Sequence, residues 1–173
     1  MCLYSKQILP RRATKNITVY KEMIKGGTNE YVSPWQCYPV LHDEIGKILI
    51  ANGDKKPHYP INVEHQLFCL RENVHSIIEG GYFHSFVGIP FGLEKLYTDH
   101  RTLMCSTRLI GAGYKWSYNN DSFIYTGKYR IVECTIPKNS LYWTGISGDI
   151  CSDKLIFNRT LSEEEITKML INQ

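Results

Sequence analysis

The sequence contains nothing close to the roughly 18 consecutive apolar residues of a membrane-spanning helix. Its first residues, Met1-Cys2-Leu3-Tyr4-Ser5-Lys6-Gln7, lack the apolar core and small-residue cleavage site of a secretory leader. Cys2 occupies the position where N-myristoylation would require glycine. Charge of one sign is equally scarce: 20 Lys and Arg stand against 17 Asp and Glu, a formal +3 with the six His neutral. That balance is too mild for a dedicated nucleic-acid binder. Thirteen glycines and seven prolines in 173 residues exclude a collagen-like repeat, and a hydrophobic share of 43% excludes a disordered tail. Internal repeats and low-complexity linkers are absent as well. What remains is a chain of single-domain size, expected to be soluble, intracellular and without a membrane partner.

Signatures of familiar chemistry are missing too. Six cysteines (Cys2, Cys37, Cys69, Cys105, Cys134 and Cys151) are dispersed, with no CxxC and no CxxH. Several sit in apolar runs such as Phe68-Cys69-Leu70, where a reduced thiol packs as a small hydrophobe. His58 and His65 are seven apart, His75 and His84 nine apart, and no HExxH occurs, so no metal is expected. No P-loop, dinucleotide fingerprint or nucleophile elbow is present, and no cofactor is expected. His84 and Ser85 are neighbours in a strand-like run; successive side chains point to opposite faces, so they do not form a direct catalytic pair.

Several elements can be read from local pattern. Residues 1–15 read as an irregular lead-in, whose Lys6, Arg11, Arg12 and Lys15 join Lys21 and Lys25 in a solvated basic edge. Residues 16–24, 48–51, 82–87, 129–136 and 155–157 carry the branched, aromatic and alternating composition of strands. Between 62 and 78, Val63, Leu67, Leu70, Val74 and Ile77/Ile78 recur at steps of three and four. That spacing predicts a helix with Asn62 as its cap and Gly80-Gly81 as its stop. Residues 90–128 are the least legible; Leu93, Leu96 and Leu103 would share a helical face there, and the stretch reads as an insertion. At the C-terminus, Ser162 and Glu165 form a capping box, and Leu161 and Ile166 are placed as a hydrophobic staple. Ile166, Met169 and Leu170 supply the buried face of that helix.

Four stretches carry a family resemblance: Met1-Cys2-Leu3-Tyr4; Ile17-Thr18-Val19-Tyr20-Lys21; Glu79-Gly80-Gly81-Tyr82-Phe83-His84-Ser85-Phe86; and Glu133-Cys134-Thr135-Ile136-Pro137-Lys138 running on through Tyr142, Gly145 and Cys151-Ser152-Asp153-Lys154-Leu155-Ile156. Together they resemble a family of small uncharacterised proteins encoded by gut anaerobes and by their phages and mobile elements. The resemblance implies an accessory protein in the cytoplasm, that of the host cell if phage-encoded, and brings no activity with it.

A more distant resemblance is to the ADP-ribosyltransferase fold. Val19-Tyr20-Lys21, Phe83-His84-Ser85-Phe86, Ile136-Pro137-Lys138-Asn139 and Ser152-Asp153-Lys154 follow the order of that fold's motifs. Lys21 stands in place of the expected Arg, and the two do not grip a pyrophosphate alike. The middle motif is not Ser-Thr-Ser, and the catalytic Glu position offers Ser152 or Asp153. The resemblance therefore implies a binding pocket rather than a transferase. Over ten residues, Phe157 to Ile166 also resemble the C-terminal tag of laminin-G-like lectin domains, which a capping-box helix explains without homology.

These readings combine into an α+β expectation: a bent, mostly antiparallel sheet or split sandwich, with a helix near 63–78 and one at the C-terminus. The leading functional expectation is a non-enzymatic accessory protein, with a counter-defence role, that binds a nucleotide-like ligand or a host protein. Tyr20, Lys21, Tyr82, His84, Ser85 and Trp143 are its candidate binding residues, because aromatic faces stack bases and Lys or protonated His meets phosphate. The alternatives are an NAD-using ADP-ribosyltransferase-like enzyme, with His84 and Asp153 or Glu133 in its site, and a virion or assembly component that forms homo-oligomers.

Overall fold

The computed structural model describes residues 2–24, 31–32, 39–51, 63–79, 82–87, 102–103, 114–117, 122–125 and 129–171. Among them the fold is α+β, with three mostly antiparallel sheets and two α-helices, the second at the C-terminus. In chain order the elements are β1 (Cys2–Ser5), β2 (Arg11–Arg12), β3 (Ile17–Ile24), β4 (Tyr31–Val32), β5 (Pro39–Val40), a 3-10 turn (His42–Glu44), β6 (Ile48–Ile50), α1 (Val63–Glu72) and β7 (Ser76–Glu79). There follow β8 (Phe83–Phe86), β9 (Thr102–Leu103), β10 (Tyr114–Ser117), β11 (Ser122–Tyr125), β12 (Tyr129–Ile136), β13 (Leu141–Thr144), β14 (Asp149–Ser152), β15 (Lys154–Thr160) and α2 (Glu163–Ile171). The largest sheet has the order β2-β13-β14-β8-β3-β12-β15-β6, with β4 on β3 and β5 on β4.

The chain divides into two compact units. The first comprises Met1–Val19, Lys47–Gly88 and Cys134–Ile156. Here the N-terminal lead-in turns out to be structured: β1 pairs antiparallel with β7, and Leu3, opposite Ile78, is fully buried. Arg11 and Arg12 form β2 against Tyr142 and Leu141 of β13. Leu3, Ile78, Trp143 and Cys151 make a buried cluster, with Tyr82 packed against it.

The predicted helix at 63–78 is two elements rather than one. α1 stops because Asn73 takes a left-handed conformation (φ 55°). The Val74 N–H then donates to the Cys69 carbonyl (2.8 Å) and the Asn73 N–H to the Leu70 carbonyl (3.3 Å), a Schellman closure with asparagine in the glycine position. Val74, Ile77 and Ile78 therefore leave the helix, and the last two enter β7. The proposed cap Asn62 and stop Gly80-Gly81 lie outside the described residues.

The second unit comprises Tyr20–Gly46, Ile89–Glu133 and Phe157–Gln173. The C-terminal helix starts as its sequence dictates. Glu165 N–H donates to Ser162 Oγ (3.2 Å), and Ser162 N–H donates back to the Glu165 carboxylate (2.8 Å). Leu161 and Ile166 are both buried with Ile131 in one cluster, with Tyr20 and Met169 packed against it. Leu103 belongs to β9, opposite Phe123 of β11, and not to a helix; Leu93 and Leu96 lie outside the described residues.

Candidate functional site

Two strand pairings assemble one row of candidate residues. Trp143 of β13 faces Cys151 of β14, which in turn faces His84 of β8. Residues directly opposite across a sheet share a face, so the indole, thiol and imidazole stand side by side. All three are buried. Burial pushes the Cys151 thiol up to about 12; a hydrogen bond from the Trp143 backbone opposes the rise and the charge of Asp149 adds to it. A thiolate nucleophile needs a lowered value, and burial works against one here. Cys69 and Cys134 are likewise buried cysteines outside any disulfide, in keeping with the apolar runs around them.

Both candidate acids are engaged in contacts within the fold. Asp153 is the single residue between β14 and β15. Its Oδ1 accepts the Leu141 N–H (2.9 Å), its own N–H donates to the Leu141 carbonyl (3.1 Å), and its carbonyl accepts the Ala51 N–H (2.8 Å). Three strands' worth of backbone is thus tied at one residue. Glu133 of β12 receives Arg159 Nη2 at 3.4 Å, while Arg159 Nη1 lies 2.8 Å from Glu165 Oε1. Tyr20 completes this second group: burial raises its phenol first, with the Glu133 and Glu165 charges adding and Arg159 opposing. A guanidinium already held by two carboxylates offers little to an incoming phosphate.

The binding candidates are accordingly divided. Tyr82, His84, Ser85 and Trp143 belong to the first unit, and Tyr20 and Lys21 to the second. Lys21, His84, Ser85 and Trp143 are buried, and Tyr20 and Tyr82 are half-buried against their cores. Tyr20 and Lys21, adjacent in β3, point to opposite faces. Arg159 carries no local signal in the sequence, because only the fold brings it from β15 to a residue 26 positions earlier.

One group with its chemistry turned outward is on α1. The packed side carries His65, Phe68 and Cys69; Tyr4 of β1 meets His65 and Phe68 edge to face, with centroids 5.5 and 5.4 Å apart. Its hydroxyl also shares a hydrogen bond with His65 Nε2 (2.5 Å). Val63, Leu67 and Leu70 lie on the other side, 69%, 61% and 78% exposed. At positions i, i+4 and i+7 they span one narrow stripe. The apolar spacing that predicted the helix is real, but the stripe faces water and not the core.

Among the described residues no group of His, Cys, Asp and Glu is arranged to hold a metal ion. Nor is any described helix long and apolar enough to cross a membrane. Comparison with protein-family models, with curated proteins and with solved structures finds no match.

Proposed function

We propose that this chain is a non-enzymatic accessory protein, of the kind that phages and mobile elements encode, and that it works by binding a host protein. The observation that carries the reading is the outward stripe of Val63, Leu67 and Leu70 on α1. An amphipathic helix normally buries such a stripe, and one left in water marks a surface that another protein covers. The helix is independently anchored through His65, Phe68 and Cys69, so the stripe is free to serve as a contact. The family resemblance supplies the setting, and a counter-defence role fits it.

The positions of the other candidates favour protein over nucleotide. Trp143 and His84 have their faces against neighbours, where a base would need an open one. Asp153 and Glu133, the acids an ADP-ribosyltransferase-like site would draw on, tie a strand junction and an arginine.

The test is affinity capture from host extract by the parent and by Leu67→Ser with Leu70→Ser, with retained proteins identified by mass spectrometry. Proteins held by the parent and lost by the variant are the expected result; identical retention would refute the reading. Because both side chains already lie in water, circular dichroism should show the variant folded. Self-association abolished by the same substitutions would move the assignment to an assembly component. In parallel, a nucleotide or NAD at about 100 times its dissociation constant adds roughly 2.7 kcal/mol of stability. A melting shift of that size would restore the nucleotide branch.

A further inference from the structure

A second exposed apolar feature lies between β1 and β2, and its surroundings differ in kind from those of α1. Ile8 and Leu9 are 72% and 74% exposed. The loop that presents them is pinned at both ends. On one side the Gln7 N–H donates to Ser5 Oγ (3.1 Å) and Gln7 Oε1 accepts the Thr144 N–H (2.5 Å). On the other, the Ala13 N–H donates to the Ser140 carbonyl (2.9 Å) and the Asn139 N–H to the Ala13 carbonyl (2.8 Å). Two aliphatic side chains are thus held out into water by a braced loop.

Cations flank them along the chain. Lys6, Arg11, Arg12 and Lys15 are all exposed within a few residues of the tip. The Lys138 N–H donates to Asn16 Oδ1 (2.9 Å), which sets a fifth exposed cation beside the segment that carries Lys15. Arg12 Nη1 donates to the Asn139 carbonyl (3.0 Å), a neutral partner. The first 21 residues hold five Lys and Arg and no Asp or Glu. Asp153, the nearest acid along the paired strands, has its Oδ1 on the Leu141 N–H.

We propose that residues 6–12 form a docking loop for an anionic lipid surface. Ile8 and Leu9 enter the boundary between headgroups and acyl chains, while Lys6, Arg11, Arg12, Lys15 and Lys138 meet headgroup phosphates. Aliphatic tips gain by leaving water for hydrocarbon, and flanking Lys and Arg hold their charges at headgroup depth. Nucleic acid fits the cations but not the tip: no aromatic residue lies between Tyr4 and Tyr20, so the loop offers no face for a base to stack on. The expectation of no membrane partner came from the want of a spanning segment, which bears on crossing a bilayer and not on lying against one. This inference does not depend on the role of α1.

The experiment is sedimentation of the full chain with extruded vesicles, either phosphatidylcholine alone or phosphatidylcholine with about one third phosphatidylserine. Pelleting is expected with the second and not the first. It should weaken roughly fivefold for each of Arg11→Gln and Arg12→Gln, and more than about tenfold for Ile8→Ser with Leu9→Ser. All four side chains are exposed, so the variants should keep the parent's circular dichroism. Absence of pelleting with phosphatidylserine at low salt would overturn the proposal. So would pelleting unchanged by Ile8→Ser with Leu9→Ser, since bare electrostatic adsorption needs no apolar tip. A single-stranded oligonucleotide that strips the protein from vesicles, and binds parent and Ile8/Leu9 variant equally, would reassign the loop to nucleic acid.

Discussion

His84 and Cys151 stand directly opposite each other in the antiparallel pairing of β8 and β14, and both are buried. Their closeness invites a catalytic reading, but the thiol is pushed up to about 12, chiefly by burial. The expected outcome is chemical silence: peptide-resolved alkylation near neutral pH should leave Cys151 unmodified in the native protein and modify it after denaturation. The same shift has a pH consequence. The folded-state value lies above the ordinary 9.0, so the unfolded chain loses its proton first. This contribution to stability is complete below pH 9.0 and falls away as pH rises towards about 12. Denaturant midpoints should drop less on alkalinisation for Cys151→Ala than for the parent. An equal drop would place the alkaline sensitivity elsewhere.

Ser162→Ala tests the start of α2. It removes the acceptor of the Glu165 N–H and should cost about 1 kcal/mol in equilibrium unfolding. Glu165 also closes the box and holds Arg159, and these contacts, the Ser162 N–H first, lower its carboxyl below the usual range. Its contribution is therefore present above the ordinary carboxylate value and is lost as pH falls. Glu165→Gln should flatten that acid limb of the stability profile. An acid limb unchanged by the substitution would show that the contacts carry no linkage.

The elements that could be read directly are those whose cause is local. β12 is a run of branched and apolar residues stopped by Pro137, and α2 carries its capping box within four residues. β1 could not be read this way, because Leu3 is buried by a strand some 75 positions away that the sequence alone does not pair with it. α1 shows a subtler limit. Periodicity gives a helix and a stripe but not which way the stripe faces; Cys69 and Phe68 offered a second, less apolar face, and that is the one that packs. The candidate site is not legible in this way: chemical type singles out His84, Asp153 and Glu133 in the sequence, while the burial of His84 and the contacts of Asp153 and Glu133 depend on partners that only the fold supplies.

Asn73 accounts for the early end of α1, and its substitutions separate backbone from side-chain effects. With φ at 55°, Asn73→Gly should be neutral or slightly stabilising. Asn73→Val places a branched side chain in the left-handed region and should cost about 1–2 kcal/mol. Thermal or denaturant unfolding of the pair decides it. Equal stability for Gly and Val would mean that the Schellman closure does not set the boundary between α1 and β7.

Gly145 has no room for a side chain. A Cβ there would run into the Asp149 carboxyl, four residues on in the turn between β13 and β14. The turn is closed by the Gly145 N–H donating to the Asp149 carbonyl (2.7 Å), so the two residues cannot simply separate. Gly145→Ala must displace a carboxyl that is partly buried and held by backbone N–H groups of Asp149 and Ser147; about 1–3 kcal/mol should be lost. Burial raises the Asp149 value, so its ionisation near neutral pH opposes folding, and Asp149→Asn should raise the unfolding midpoint there. The decisive measurement is a double-mutant cycle with Asp149→Ser. If the clash is with the carboxyl, Gly145→Ala costs less in that background. Strict additivity would assign the cost to the backbone of the turn instead, and the Gly145–Asp149 contact would then have no energetic weight of its own.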